Sequence, residues 1–255
     1  AGWLIRDRFP DRRVVRQVQG VELVLPWSHR LPDYALWGPQ YGQNLVELGR
    51  LLAESGPLSL LDVGANVGDS TVQVLHAAGG AARAEHRALC IEADRFYLDF
   101  LHANVDRDDR VSVVEALLAV GGQGGGTTAV RSGGTTHFVD GAGADAMPTV
   151  SPGDLRAGHP AFTDLRLVKS DTDGYDVELV PAIAQEWSDS RPVLFFEYDP
   201  YLTRQVGIIA GHRACRWCRL AFEVCRNPGV GRCSGRLMRR SSGAARCLGC
   251  DRRGS

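Results

Sequence analysis

The sequence predicts an α/β fold with a doubly wound, mostly parallel sheet whose last strands are missing or altered. Three observations carry that expectation. Short apolar runs recur along the chain, each followed by a segment of helical spacing. The first of the parallel-strand runs opens into a glycine-punctuated turn. The fifth, Pro192-Val193-Leu194-Phe195-Phe196-Glu197, is apolar almost throughout, as a strand buried on both faces of a parallel sheet would be.

The elements follow in order. Residues 13–25 alternate loosely through Val14, Val15, Val18, Val21, Leu23, Val24 and Leu25, which predicts a strand or hairpin turning at Gln19-Gly20. Residues 26–32 form a proline-bounded loop. Leu45, Leu48, Leu51 and Leu52 have helical spacing, and that helix ends near Ser55-Gly56-Pro57. A strand precedes the turn at Gly64, and a helix with Val72, Val74, Leu75 and Ala78 on its apolar side follows it. Residues 88–92 read as the second parallel strand. Phe96, Tyr97, Phe100 and Leu101 make the next helix, with Asp94 as its N-cap. Residues 111–116 are a third strand. The Gly- and Thr-rich residues 121–147 read as an exposed hairpin or loop insert. Residues 165–171 are a fourth strand, followed by a helix over roughly 176–187. The predicted organisation is an N-terminal segment 1–56 covering the acceptor side, a Rossmann-like body 57–207, and an atypical tail 208–255.

The turn carries the chemistry. Asp62-Val63-Gly64-Ala65-Asn66-Val67-Gly68 reads D-x-G-x-N-x-G. A dinucleotide turn needs G-x-G-x-x-G, and its second glycine position here holds Asn66. Gly64 and Gly68 are expected to let the backbone pass close to a ligand, and Asn66 tolerates a left-handed conformation. A pyrophosphate wants glycines and a free helix N-terminus. An acid at the strand end, Asp62, suits a ligand with an ammonium group, such as S-adenosylmethionine (SAM). Glu92 ends the second strand 24 residues after Gly68, where an acid accepts ribose hydroxyls. Glu115, Asp171 and Glu197 likewise stand at or just after strand ends. Each has a plainer reading, as a surface acid or, for Asp171 and Asp173, a helix cap.

Composition bounds the reading. A chain of 255 residues with 44% hydrophobic residues fits one α/β domain with additions. It has no apolar run of the roughly 18 residues that would span a membrane and no signal-peptide core. It begins without Met, as a fragment or processed chain would. Lys169 is the only lysine, against 28 arginines, a mark of GC-rich coding and not of nucleic-acid binding. Residues 1–207 carry 18 basic and 28 acidic residues, for a net charge of −10, and contain Cys90 as their one cysteine. That is the profile of a reduced, cytoplasmic enzyme.

Five segments together resemble the FkbM-type SAM-dependent methyltransferases, a branch of the Rossmann-like class I methyltransferases. They are residues 26–32, 61–70, 90–94, Val168-Lys169-Ser170-Asp171-Thr172-Asp173-Gly174-Tyr175-Asp176, and Phe195-Phe196-Glu197-Tyr198-Asp199-Pro200. The glycine turn marks only the superfamily, whereas Lys-x-Asp-Thr-Asp-Gly is more specific to the family. The resemblance implies that Asp62, Gly64, Ala65, Asn66, Gly68 and Ser70 surround the methionine part of SAM. It also implies that Glu92-Ala93 holds the ribose and Glu115-Ala116 lies beside the adenine. Asp171 and its neighbours Asp173 and Glu197 would face a small-molecule acceptor, a hydroxyl of a sugar, polyketide or other natural product. Asp171 is the first candidate for the base that takes the hydroxyl proton, with His29 and His137 behind it. Ser170 stands where the family usually has an apolar residue. No residue is singled out as a metal ligand, the part of a divalent metal stays open, and no nucleic acid or membrane is expected to take part. The competing readings are an NAD-linked oxidoreductase, which Asn66 disfavours, and a non-catalytic remnant of the same fold.

The resemblance ends near Gly207. Residues 208–255 hold eleven arginines against Glu223 and Asp251, and six of the seven cysteines lie between Cys215 and Cys250. Cys215-x-x-Cys218 and Cys247-x-x-Cys250 have the spacing of a four-cysteine zinc site, with arginines available to nucleic acid. Out-of-frame translation of GC-rich DNA yields the same mixture. The abrupt change inside the expected domain favours that origin and a poorly ordered tail without zinc.

Overall fold

A computed structural model describes residues 8–38, 40–79, 83–120, 127–132, 135–140, 148–198 and 202–203, with no side-chain description for Arg83 and 127–140. The chain divides into Ala1–Gly211 and His212–Ser255, and every described residue belongs to the first unit. The tail and both readings of it lie outside the described residues.

The first elements form the expected hairpin. β1 (Arg13–Val18) pairs antiparallel with β2 (Val21–Pro26). Gln19 and Gly20 turn between them with φ of 49° and 91°, the left-handed pair that matches strand twist. Residues 26–32 do not stay a loop: α1 (Leu31–Trp37) begins inside them. Pro32 sits in its first turn, where a missing N–H costs nothing. Next come α2 (Gln43–Glu54), β3 (Ser59–Val63), α3 (Asp69–Ala77), β4 (Arg87–Glu92), α4 (Arg95–Val105) and β5 (Val111–Glu115). Asp94 caps α4, its side chain accepting from the Phe96 amide. Short strands β6 (Leu117–Leu118) and β9 (Thr149–Val150) pair in parallel. Between them the insert holds an antiparallel hairpin, β7 (Thr127–Ser132) with β8 (Thr135–Asp140). The chain continues through α5 (Pro152–Gly158), β10 (Leu167–Ser170), α6 (Asp176–Glu186) and β11 (Val193–Phe196).

Five strands make one parallel sheet in the order β11-β10-β3-β4-β5. Alternation along the strands divides the core between two faces. Leu61, Val63, Leu89, Ile91 and Val168 pack against Leu155, Leu179, Ile183 and Trp187 from α5, α6 and the turn after it. Leu60, Ala88 and Leu167 face the other way, onto Leu45 of α2 and Val74 and Leu75 of α3. Cys90 on that same face meets Leu98 and Leu101 of α4. Helices following β3 and β4 thus cover one face, and the helix following β10 covers the other. This is a doubly wound sheet, and its direction of winding reverses between β3 and β10. Ligands in such sheets bind outside the carboxyl ends of the strands at that reversal. Trp187, fully buried, anchors the α6 side and donates from Nε1 to the Phe162 carbonyl at 2.8 Å.

The fifth strand corrects one expectation. β11 is half-buried along its whole length. Among the described residues it pairs only with β10, and its half-burial shows that an apolar run need not be covered on both faces.

The hairpin is fastened to the sheet's ligand end. Val18, Val21, Leu23 and Leu25 pack on Tyr97 and Phe100 of α4 and on Val67 of the glycine turn. Asn104, in α4, accepts from the Val24 amide at 2.7 Å and donates to the carbonyls of Val24 and Val67 at 3.0 and 2.8 Å. One side chain therefore ties the hairpin edge to the turn.

Candidate active site

The turn after β3 is held almost entirely by its own chain. The amides of Gly64 and Ala65 both donate to the Ile91 carbonyl at 3.0 Å, and Gly68 N–H closes onto the Ala65 carbonyl at 2.7 Å. Asn66 takes the left-handed conformation expected of it, with φ 51°. Gly64 has φ 70°, and a Cβ there would lie 2.1 Å from the Asp171 carbonyl oxygen. Gly68 has φ 81°, and a Cβ there would lie 2.7 Å from Leu101 Cδ1. The two glycines are thus required by contact with the rest of the chain, a different reason from the ligand approach expected of them. Gly64 lets the turn after β3 touch the corner after β10, and Gly68 lets α3 start against α4.

Asp62 also departs from expectation. Its carboxylate is fully buried. Oδ2 accepts from Thr71 Oγ1 at 2.7 Å, and Oδ1 lies 3.0 Å from Lys169 Nζ. The register explains this: Lys169, Asp62 and Cys90 are direct neighbours across three strands, pointing to one face beneath α3. Asp62 stands inside the strand, behind the turn, and its charge meets the buried lysine instead of a ligand. Lys169 Nζ donates to the Gly64 carbonyl at 2.7 Å and lies 4.0 Å from Asp171 Oδ2. Burial alone would lower the Lys169 ammonium. The surrounding carboxylates of Asp62, Asp171 and Asp69 outweigh it and hold the group raised.

Glu92 sits where predicted, at the end of β4 beside the turn. Its Oε2 accepts from Asn66 N–H at 2.7 Å. Its Oε1 accepts from the amides of Ala93 and Asp94 at 2.9 and 2.7 Å. A carboxylate has about four acceptor positions, and these amides take three. Burial raises the Glu92 carboxyl, and the three amide bonds pull against that rise. Ala93 is buried beside it, and Ser70 lies in the first turn of α3. Glu115 is opposite Glu92 in the register of β4 and β5. It is mostly exposed and lies 3.2 Å from His102 Nε2 on the surface, whereas Ala116 is buried.

The corner after β10 brings the acceptor-side candidates together. Asp171 N–H donates to Val63 O at 3.1 Å, and Glu197 N–H donates to Ser170 O at 3.1 Å, so Asp171 and Glu197 leave adjacent strands side by side. Both side chains are exposed. Partial burial of the carboxyl group itself, the charge of Asp171 and a hydrogen bond to it, with Asp173 and Asp176 further off, push Glu197 up to about 7. Neither Asp171 nor Asp173 caps the following helix, whose N-cap position is Tyr175. Asp176 shapes the corner instead: it is buried, with Oδ1 accepting from Ser170 Oγ at 2.6 Å and Oδ2 from Thr172 N–H at 3.1 Å. The hydroxyl of Ser170 is a partner of that carboxylate.

The N-terminal segment reaches the same end of the sheet. His29 Nε2 lies 3.2 Å from Asn66 Oδ1, and His29 Nδ1 accepts from Leu31 N–H at 3.2 Å. The proton therefore sits on Nε2, directed at Asn66. Burial lowers the imidazole, with Asp69 and Asn66 opposing. In this arrangement His29 supports the turn, and its one acceptor nitrogen is occupied. Tyr41, which sequence reasoning missed, stacks against Tyr34 with ring centroids 5.3 Å apart. Partial burial and the charges of Asp69, Asp171 and Glu197 push its phenol up to about 12. Its separation in sequence from those acids left no local signal. The His137 side chain lies outside the described residues.

No protein-family model matches the chain, and no curated protein matches it. Solved structures to which it is similar include the O-methyltransferase TomG from Streptomyces achromogenes in complex with SAM. That likeness has 15% identity over 78% of this chain and 74% of TomG, with a TM-score of 0.44. The O-methyltransferase from Bacillus cereus in complex with SAH shares 15% identity over 72% of this chain and 69% of that one, with a TM-score of 0.41. Cofactor-bound Rv0187 from MTB shares 17% identity over 68% of each chain, with a TM-score of 0.38. Likeness at this level bears on neither the acceptor nor the site residues.

Proposed function

We propose that the chain is a SAM-dependent O-methyltransferase of the FkbM type, acting on a hydroxyl of a sugar, polyketide or other small natural product. The observation that carries the reading is the convergence of the Gly64–Gly68 turn, Glu92 and the Asp171–Glu197 corner at the carboxyl end of a sheet ordered β11-β10-β3-β4-β5.

The donor set fits SAM. Glu92 and Asp69 flank a turn whose first three amides, Gly64 to Asn66, are committed to Ile91 O and Glu92. Such a turn suits a cationic ligand with ribose hydroxyls and repels a pyrophosphate, which counts against a nicotinamide dinucleotide. The turn would lie against the methionine part, Glu92 would accept from the ribose, and Glu115-Ala116 would flank the adenine. When bound, SAM supplies an activated methyl group on a sulfonium sulfur.

The chain's own residues position the acceptor and take its proton. Asp171 is exposed, beside the turn, and able to reach a hydroxyl from solvent. It would accept the proton of an acceptor hydroxyl held beside the turn. Glu197, hydrogen-bonded to Asp171, shares that proton. Tyr34 and Tyr41 offer an aromatic wall near the same carboxylates. The lone buried Cys90 among the described residues accords with work in the cytoplasm.

Titration calorimetry tests the reading. Wild-type protein is expected to bind SAM and S-adenosylhomocysteine but not NAD. Glu92→Gln is expected to weaken SAM binding by about tenfold or more, as charge-assisted bonds are lost. Binding of NAD and not of SAM would overturn the proposal.

A further inference from the structure

We propose that Lys169 is a positioning residue for the cofactor, pinning the glycine turn in its receiving shape through the Gly64 carbonyl; this rests on the methyltransferase reading. In the sequence Lys169 opens the Lys-x-Asp-Thr-Asp-Gly segment, but its neighbours there give it no role. In the structure its ammonium lies under the turn, 2.7 Å from Gly64 O, 3.0 Å from Asp62 Oδ1 and 4.0 Å from Asp171 Oδ2. The end of β3 lies close enough to the corner after β10 that Gly64 has no room for a Cβ against the Asp171 carbonyl.

A purely structural role explains this arrangement poorly. Lys169 and Asp62 are both buried, and a buried ion pair often contributes no more stability than apolar residues of the same volume. Asp62 has a second partner in Thr71. The hydrogen bond to Gly64 O is the part that apolar residues could not supply. That carbonyl belongs to the first residue of the turn, and the peptide it closes continues into the Ala65 amide that holds Ile91 O. Fixing its direction fixes the path from Gly64 to Asn66, and with it the amide that Glu92 grips. A turn held from below in this way is preorganised, so binding spends less free energy on ordering it.

The test uses the full chain and two charge-neutral double variants. Asp62→Asn with Lys169→Met removes the ion pair and the donor to Gly64 O. Asp62→Asn with Lys169→Gln removes the same charges but keeps an N–H donor. Three quantities are measured: SAM dissociation constant by calorimetry, melting temperature, and hydrogen exchange of the amides in residues 64–68. The methionine form is expected to bind SAM about tenfold more weakly and to lose protection in the turn. The glutamine form is expected to recover most of both, with the two forms melting within a few degrees of each other. If the methionine form keeps wild-type affinity and protection, or if the glutamine form loses them as fully, the proposal is overturned. If the methionine form does not fold, retention of both properties in the glutamine form supports the proposal and their loss overturns it. Should wild-type protein bind no SAM, the methyltransferase reading fails, and the exchange measurement alone still judges whether Lys169 pins the turn.

Discussion

Asp171 and Glu197 leave neighbouring parallel strands with their carboxyl groups hydrogen-bonded. A pair of this kind separates binding from turnover. Asp171→Asn is expected to lower kcat about 100-fold while the SAM dissociation constant stays near wild type, as befits loss of a general base. Wild-type turnover on an identified acceptor would remove Asp171 from the mechanism. Glu197 adds a pH signature with a definite sign. Its folded pKa of about 7 lies above the ordinary 4.5, so the folded state holds this proton more tightly than the unfolded chain. The stabilising contribution is complete below about pH 4.5 and is lost as pH rises through about 7. Activity is expected to run the opposite way, rising through the same window as the pair gains capacity to accept a proton. Melting curves and kcat across pH 5 to 8 check both trends, and Glu197→Gln is expected to flatten that part of each profile.

The elements meet through backbone contacts that tolerate little change. A methyl group at Gly64 would strike the Asp171 carbonyl at 2.1 Å on a backbone with φ 70°. Gly64→Ala is therefore expected to cost at least about 3 kcal/mol, from left-handed strain plus a clash with an atom that cannot rotate away. Thermal unfolding would register this as a clear drop in Tm, and an unchanged Tm would mean that the two corners are not packed as described. The position of this turn is legible in the sequence, because glycine spacing after an apolar run is a local signal. So are β3, β4, β10 and the cap at Asp94. The helix at Leu31–Trp37 was hidden because Pro32 reads as a loop boundary, although a proline in the first turn is compatible with a helix. The helix at Pro152–Gly158 carries a readable start, Ser151 accepting from Asp154 N–H with Pro152 behind it, but its short length gives no periodicity. What the sequence could not convey is which buried charges meet. The pairing of Asp62 with Lys169 depends on β3 and β10 being neighbours, though 107 positions separate the two residues. The approach of His29 to Asn66 depends on where the hairpin docks.

For the molecule as a whole, charge and location are arranged unevenly. Among the described residues no arginine is buried, whereas the single lysine is buried between the turn and the sheet. Amine-directed reagents therefore have one side-chain target in the entire chain, and in the native state it is 6% exposed. Its proton is also held more firmly than usual by Asp62 and its neighbours, and a protonated amine is not a nucleophile. An acylating reagent added to folded protein is expected to leave Lys169 untouched. Modification of Lys169 then requires the sheet to open between β3 and β10, so its rate, followed by mass spectrometry at low denaturant, is expected to track global unfolding. Rapid labelling under native conditions would contradict the burial described here. The protein thus carries its own single-site reporter of opening, placed at the seam on which the proposed activity depends.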